Sequence, residues 1–160
     1  MSHLLRYGSG GPYEAPVGYS RLVVAGAQAW TAGCTATVDG QIVGAGDPHA
    51  QALAAFGVAL AALQRAGFEP ADVVQTRMYV VDIAANSGPV GAAHRELFAD
   101  VRPAATMVGV AALIDPRLLV EVEVVAHREF SPDADEAEPD ESEPPTDAIR
   151  LDEPSADDSI

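Results

Sequence analysis

Apolar and polar positions change their spacing several times along the chain, and each change marks an element. In "YSRLVVAGAQAWTAG", residues 19–33, two short apolar pieces flank a small-residue turn at Ala25 to Ala27, the pattern of a β-hairpin. Asp39-Gly40 within "VDGQIVG" is the residue pair of a tight hairpin reversal, so the first half of the sheet is expected to be antiparallel. The period then lengthens. Leu53, Phe56, Leu60 and Leu63 recur at steps of three and four, with Gln51, Gln64 and Arg65 off that stripe, which predicts a helix laying one face on a sheet. Asp47 is placed to cap it, Pro48 takes its first position and Gly67 ends it.

The period shortens again in "VVQTRMYVVDI", residues 73–83, whose β-branched and aromatic residues predict a strand. "ANSGP" reads as a turn leading into a helix that starts at Pro89 and covers about residues 90–99. Strands follow near 104–110 and 118–127, separated by the Asp-Pro turn of "LIDPR". The order ββ(β)αβαββ predicts an α+β layer with two helices packed on one face of a mixed sheet. The other face is left uncovered and needs a partner. Residues 1–16, rich in Gly and Pro without a period, are expected to be irregular, and the folded domain is expected to span 17–130.

Charge changes the picture at one end only. The chain of 160 residues carries a formal charge of -15, and twelve of its 24 acidic residues follow Phe130 against Arg150 alone, leaving -4 on residues 1–130. Residues 131–160 mix acids, Ser, Pro and Ala with almost nothing to bury, the composition of a disordered tail that keeps a protein soluble. All nine cations are scattered Arg residues, which argues against nucleic acid. The absence of lysine removes the nucleophile that Schiff-base chemistry requires. Cys34 stands alone and no apolar stretch reaches signal-peptide or membrane-spanning character, so a soluble, cytoplasmic protein without membrane contact is expected.

Three stretches, "GYSRLVVAGAQAWTAGC", "VVQTRMYVVDI" and "RPAATMVGVAALIDPRLLVEVEVVA", resemble the RidA/YjgF family of enamine and imine deaminases, also known as the endoribonuclease L-PSP family. The last is the most specific, and the resemblance covers roughly residues 17–127. It implies a chorismate-mutase-like fold, a homotrimeric barrel, and a small-molecule site in clefts between subunits. It further implies that a 2-imino or 2-enamino acid is hydrolysed to the 2-oxo acid and ammonia without metal or organic cofactor.

Glu121 matches the family's water-positioning carboxylate. Strand alternation puts Glu121 and Glu123 on one face, with Val120, Val122 and Val124 on the other. Glu123 is read as structural. The position two residues after Pro103, where deaminating members carry a carboxylate-binding Arg, is Ala105. Loss of such a bidentate contact costs about 2 to 5 kcal/mol. Beside Glu121, the candidate substrate-contacting positions are Tyr19, Gly33, Cys34, Arg102, Ala105 and Thr106. Arg102 precedes the Pro and Arg77 lies inside a strand, so neither inherits the lost geometry. A reactive thiol needs a nearby base or positive field, and the sequence around Cys34 supplies neither. His3, His49, His94 and His127 lack metal-ligand spacing, and His94 is expected on a helix surface. Two readings stand: an imine hydrolase, or a small-ligand-binding member that has lost deaminase turnover.

Overall fold

The computed structural model describes residues 4–129, so His3 and the acidic segment 131–160 lie outside the described residues. The elements are β1 (Leu4–Tyr7), α1 (Glu14–Val17), β2 (Leu22–Ala25), β3 (Gln28–Thr31), β4 (Cys34–Thr35), β5 (Thr37–Val38), β6 (Gln41–Ile42), α2 (Pro48–Arg65), β7 (Val73–Val81), α3 (Ile83–Phe98), β8 (Ala104–Val110) and β9 (Val120–His127). A single 3-10 turn, Pro70–Asp72, leads into β7.

Strands join in the order β1-β2-β3-β9-β7-β8, with β4 also paired to β9, and β5-β6 form a separate two-stranded ribbon. All these pairings are antiparallel except β7 with β8, which run parallel because α3 supplies the crossover between them. The mixed α+β sheet is therefore as expected. Asp39 and Gly40 both take positive φ, 49° and 74°, as a tight reversal between β5 and β6 demands.

Residues expected to be irregular instead begin with a strand. "LLRY" holds no Gly or Pro, and it pairs in register with β2, Leu4 against Ala25 through Tyr7 against Leu22. Tyr7 packs on the core.

The ends of α2 follow the local signals. The Asp47 side chain accepts the Ala50 amide at 3.0 Å, Pro48 takes the first turn, and Gly67 has φ 84°. Its buried face is another matter. Ala52, Ala55, Phe56, Ala59, Ala62 and Leu63 pack inward with Gln51, while Leu53 and Leu60 are only partly buried. Alanine lets the helix axis approach the sheet closely. Gln51, expected off the stripe, is completely buried, because its amide bridges the chain entering β9: Nε2 donates to the Arg117 carbonyl at 2.8 Å and Oε1 accepts from the Leu119 amide at 2.7 Å.

α3 starts six residues earlier than its Pro89 signal. Asp82, in left-handed conformation at φ 49°, reverses the chain directly after β7, and the Asn86 side chain donates to the Val81 carbonyl at 2.7 Å. Pro89 thus lies inside α3, next to the completely buried Val90. Gly109 of β8 makes room for Ile83, since a Cβ there would come within 2.9 Å of the Ile83 methyl.

Both helices cover the same sheet face, above Leu22, Val24, Ala29, Met78, Val80, Val120, Val122 and Val124. On the opposite face, Val23, Trp30 and Val125 lie side by side across β2, β3 and β9, and Trp30 is 38% exposed.

Candidate functional site

The alternation of β9 separates core from chemistry. Val120, Val122 and Val124 are at most 1% exposed beneath the helices, and Glu121 and Glu123 leave the open face, about 7 Å apart at two residues of rise. Glu123 is partnered: it accepts from the Tyr79 hydroxyl at 3.1 Å and from Arg77 at 3.4 Å. Its arginine partner belongs to the same chain, on the neighbouring strand β7. Burial, then the Glu123 charge, raises the Tyr79 phenol above its ordinary range.

Glu121 is half-buried between Thr35 and Tyr79 in the register of β4 and β7. Among the described residues, no side chain makes a hydrogen bond or ion pair with it. Its carboxylate rests on Gly33, where a Cβ would overlap the carboxylate oxygen, so only glycine permits the approach. Burial, then the negative charge of Glu123, raises the Glu121 pKa above 4.5, while Arg21 pulls it down.

That arginine is the residue the sequence reading passed over. The β2-β3 hairpin pairs Leu22 with Thr31, and the Ala32 amide donates to the Arg21 carbonyl at 2.8 Å, which carries Arg21 alongside Gly33. Its NH1 donates to the Gly33 carbonyl at 2.5 Å and reaches the Cys34 sulfur at 3.4 Å, and NH2 donates to the Tyr19 hydroxyl at 3.3 Å. The guanidinium sits 5.6 Å from the Tyr19 ring centre, within cation–π range. Across from it, the Ser9 hydroxyl and amide bind both oxygens of Glu14. Against the upward push of burial, these bonds and the Arg21 charge hold the Glu14 carboxyl below its ordinary range.

The expectation that no Arg attends Cys34 is therefore corrected; strand pairing brings one from thirteen residues away. The thiol is nonetheless inert. Burial raises its pKa, overriding Arg21, and Sγ donates to the Ala32 carbonyl at 3.3 Å.

Tyr19, Arg21, Gly33, Cys34 and Glu121 thus form one group at the end of the first hairpin. The remaining candidates lie elsewhere in the chain. Ala105 pairs with Thr76 and Thr106 with Arg77 on β8, with all of β7 between them and β9. Arg102, at φ 52° before β8, is exposed and donates to the Ala99 carbonyl at 3.2 Å. It lines a cavity of about 400 Å³ with His94, Arg95, Phe98, Ala99 and Asp100. His94 is half-buried rather than a free helix-surface residue. Its Nε2 lies 2.9 Å from the Thr76 hydroxyl, its ring meets Phe56 and Phe98, and burial lowers its pKa. Among the described residues, no three His, Cys, Asp or Glu side chains gather as a metal site, and no helix is long and apolar enough to cross a membrane.

Residues 12–128 match the family described as endoribonuclease L-PSP. The chain belongs to that family. Over 123 residues it is 41% identical to an uncharacterised protein of Streptomyces coelicolor, covering 77% of this chain and 91% of the relative. A Mycobacterium tuberculosis protein, a member of the YjgF/YER057c/UK114 family, is 40% identical with a TM-score of 0.71, over 79% of this chain and all of its own. A protein of unknown function from Pseudomonas aeruginosa is 30% identical with a TM-score of 0.66, over 79% of this chain and 94% of its own. Within this L-PSP fold, the hairpin group around Glu121 joins a carboxylate without a side-chain partner among the described residues to a partly buried guanidinium across one glycine.

Proposed function

We propose that the chain acts as a cytoplasmic homotrimer that hydrolyses a small imine or enamine in a cleft between subunits, with Glu121 positioning the water. One observation carries this reading: a half-buried carboxylate, raised in pKa, that no side chain among the described residues satisfies. Such a group exchanges protons closer to neutral pH than an ordinary glutamate and suits general acid–base work. Glu121 takes a proton from water as its oxygen bonds to the imine carbon and the C=N pair moves to nitrogen. The carboxyl hands that proton to the nitrogen, giving a neutral carbinolamine; the carboxylate then takes the hydroxyl proton as the carbonyl forms and the C–N bond breaks, and passes it to the departing nitrogen, so that ammonia and a carbonyl compound result. An enamine enters the same path once protonated at carbon.

The open sheet face supports association, since the Val23, Trp30 and Val125 stripe is the kind of exposed apolar surface that oligomers bury. It also supports a site completed by a neighbouring copy, because β8 with Ala105 and Thr106 lies apart from Glu121 within one chain.

Ala105 favours a second reading, a ligand-binding member without turnover of 2-imino acids. The test is release of ammonia and 2-oxo acid from freshly generated 2-iminopropanoate and 2-iminobutanoate, comparing the native chain with Ala105→Arg. Turnover by the native chain is expected. Turnover only by Ala105→Arg selects the binding reading, and none by either overturns the hydrolase.

A further inference from the structure

With a methyl group at position 105, an anionic ligand must be held by another cation. Most arginines on the described residues are already answered. Arg77 faces Glu123, Arg117 is clamped twice onto Asp115, and Arg128 lies between Glu69 and Asp72. Arg65 and Arg102 donate to the carbonyls of Gly8 and Ala99 at the surface.

Arg21 differs in burial and in what is left to it. Its side chain is 14% exposed, against 47% for Arg77 and 66% for Arg117. Its nearest carboxylate, Glu14, stands 3.9 Å from Nε, too far for a hydrogen bond, and has both oxygens engaged by Ser9. A guanidinium carries five N–H donors. The contacts to Gly33, Cys34 and Tyr19 use two on NH1 and one on NH2, which leaves one NH2 proton and the Nε proton without a hydrogen-bonded acceptor among the described residues. The same contacts, with the Tyr19 ring beneath the charge, fix the plane of the fork in advance. On the other side of Gly33 lies the Glu121 carboxylate.

We propose that Arg21 is the anion anchor of this site: it holds the carboxylate of a small ligand across Gly33 from Glu121, the task for which β8 offers only Ala105. Anchor and water-positioning residue then belong to one hairpin group of one chain, and because a single glycine separates them, the ligand's carboxylate must sit next to its reactive carbon. The placement of that carbon rests on the hydrolase reading of Glu121; the anchoring of the anion does not.

The test uses the full chain with 2-oxobutanoate and its uncharged amide as probes, titrated calorimetrically. The native chain is expected to prefer the carboxylate over the amide by about tenfold or more, as a charge-assisted fork does. Arg21→Gln should erase that preference while changing amide affinity less than about twofold, and Arg77→Gln should leave it intact. If Arg21→Gln does not fold, Arg21→Lys decides, since it keeps the charge without the fork and should retain only part of the preference. An equal affinity of the native chain for both probes, or an undiminished preference in the Arg21 variants, overturns the anchor. The two readings fail separately. Carboxylate preference lost with Arg21 in a chain that never hydrolyses 2-iminobutanoate keeps the anchor and removes the hydrolase. Hydrolysis whose KM is the same in native and Arg21→Gln chains keeps the hydrolase and removes the anchor.

Discussion

Glu121 and Glu123 leave the same face of β9, two residues apart, and their surroundings are opposite. Glu123 accepts from the Tyr79 hydroxyl at 3.1 Å and from Arg77 at 3.4 Å. Glu121 lies opposite Tyr79 in register, yet that hydroxyl points to Glu123, and Glu121 is left with the bare backbone of Gly33. Alternation places both carboxylates outward; the neighbouring strands decide their roles. β7 supplies two donors to one, and the turn into β4 supplies a glycine to the other. A paired carboxylate is held still, whereas an unpaired one at partial burial keeps the free lone pairs that a water or a ligand needs.

Substituting the two residues in parallel breaks or upholds this contrast with the largest effect. Glu121→Gln should lower imine hydrolysis by about 100-fold or more, the usual size of a lost general base, and Glu123→Gln by no more than about threefold, both read as ammonia release. Equal losses would erase the distinction. Next in size is Gly33→Ala. Its Cβ must displace the Glu121 carboxylate, so turnover should fall about tenfold and stability toward urea by about 1–3 kcal/mol, as overpacking does.

The covered side of the sheet offers a control. Gln51 is a buried polar group there, and both ends of its amide are hydrogen-bonded. Gln51→Ala strands the Leu119 amide and the Arg117 carbonyl, which should cost about 2 kcal/mol in urea denaturation without changing 2-oxobutanoate affinity.

The smallest effect is in pH dependence. Burial raises the folded-state pKa of Glu121 above 4.5, so the folded chain binds that proton more tightly than the unfolded one. This contribution to stability is present in full below pH 4.5 and is lost as pH rises through the raised value. Glu121→Gln removes the loss. Its Tm should exceed the native value by about 1–3 °C at pH 7, and the gain should vanish near pH 4. A gain of the same size at both values would assign the effect to packing instead.

What the sequence conveyed was local. Asp47, Pro48 and Gly67 mark the ends of α2 because capping depends on adjacent residues, and the Glu121/Glu123 alternation follows from strand geometry alone. What it withheld depends on neighbours distant in the chain. Gln51 reads as a solvent-facing polar residue until the chain entering β9 arrives with an amide and a carbonyl to bind. Pro89 reads as a helix start, but Asp82 and Asn86 had already begun the helix. "LLRY" is too short to carry a period and becomes a strand only when β2 offers its edge. Arg21 is the instructive omission. A hairpin that pairs Leu22 with Thr31 must carry Arg21 beside Ala32 and Gly33, so its signal lies in the strand register and not in any motif around Arg21 itself. Ala105 itself was legible as a substitution; that β7 separates it from Glu121 within one chain was not, because that order is set by the parallel β7-β8 crossover.

The contrast between the two carboxylates can be measured without knowing the ligand. A carbon-13 NMR titration of the glutamate side-chain carboxyls, assigned with Glu121→Gln and Glu123→Gln, reads their protonation in the intact chain. The Glu121 carboxyl should titrate above 4.5, and its midpoint should rise further in Arg21→Gln, where the opposing charge is gone. A Glu121 midpoint at or below 4.5, unmoved by the loss of Arg21, would mean that the carboxylate is already satisfied, and would contradict the role assigned to it.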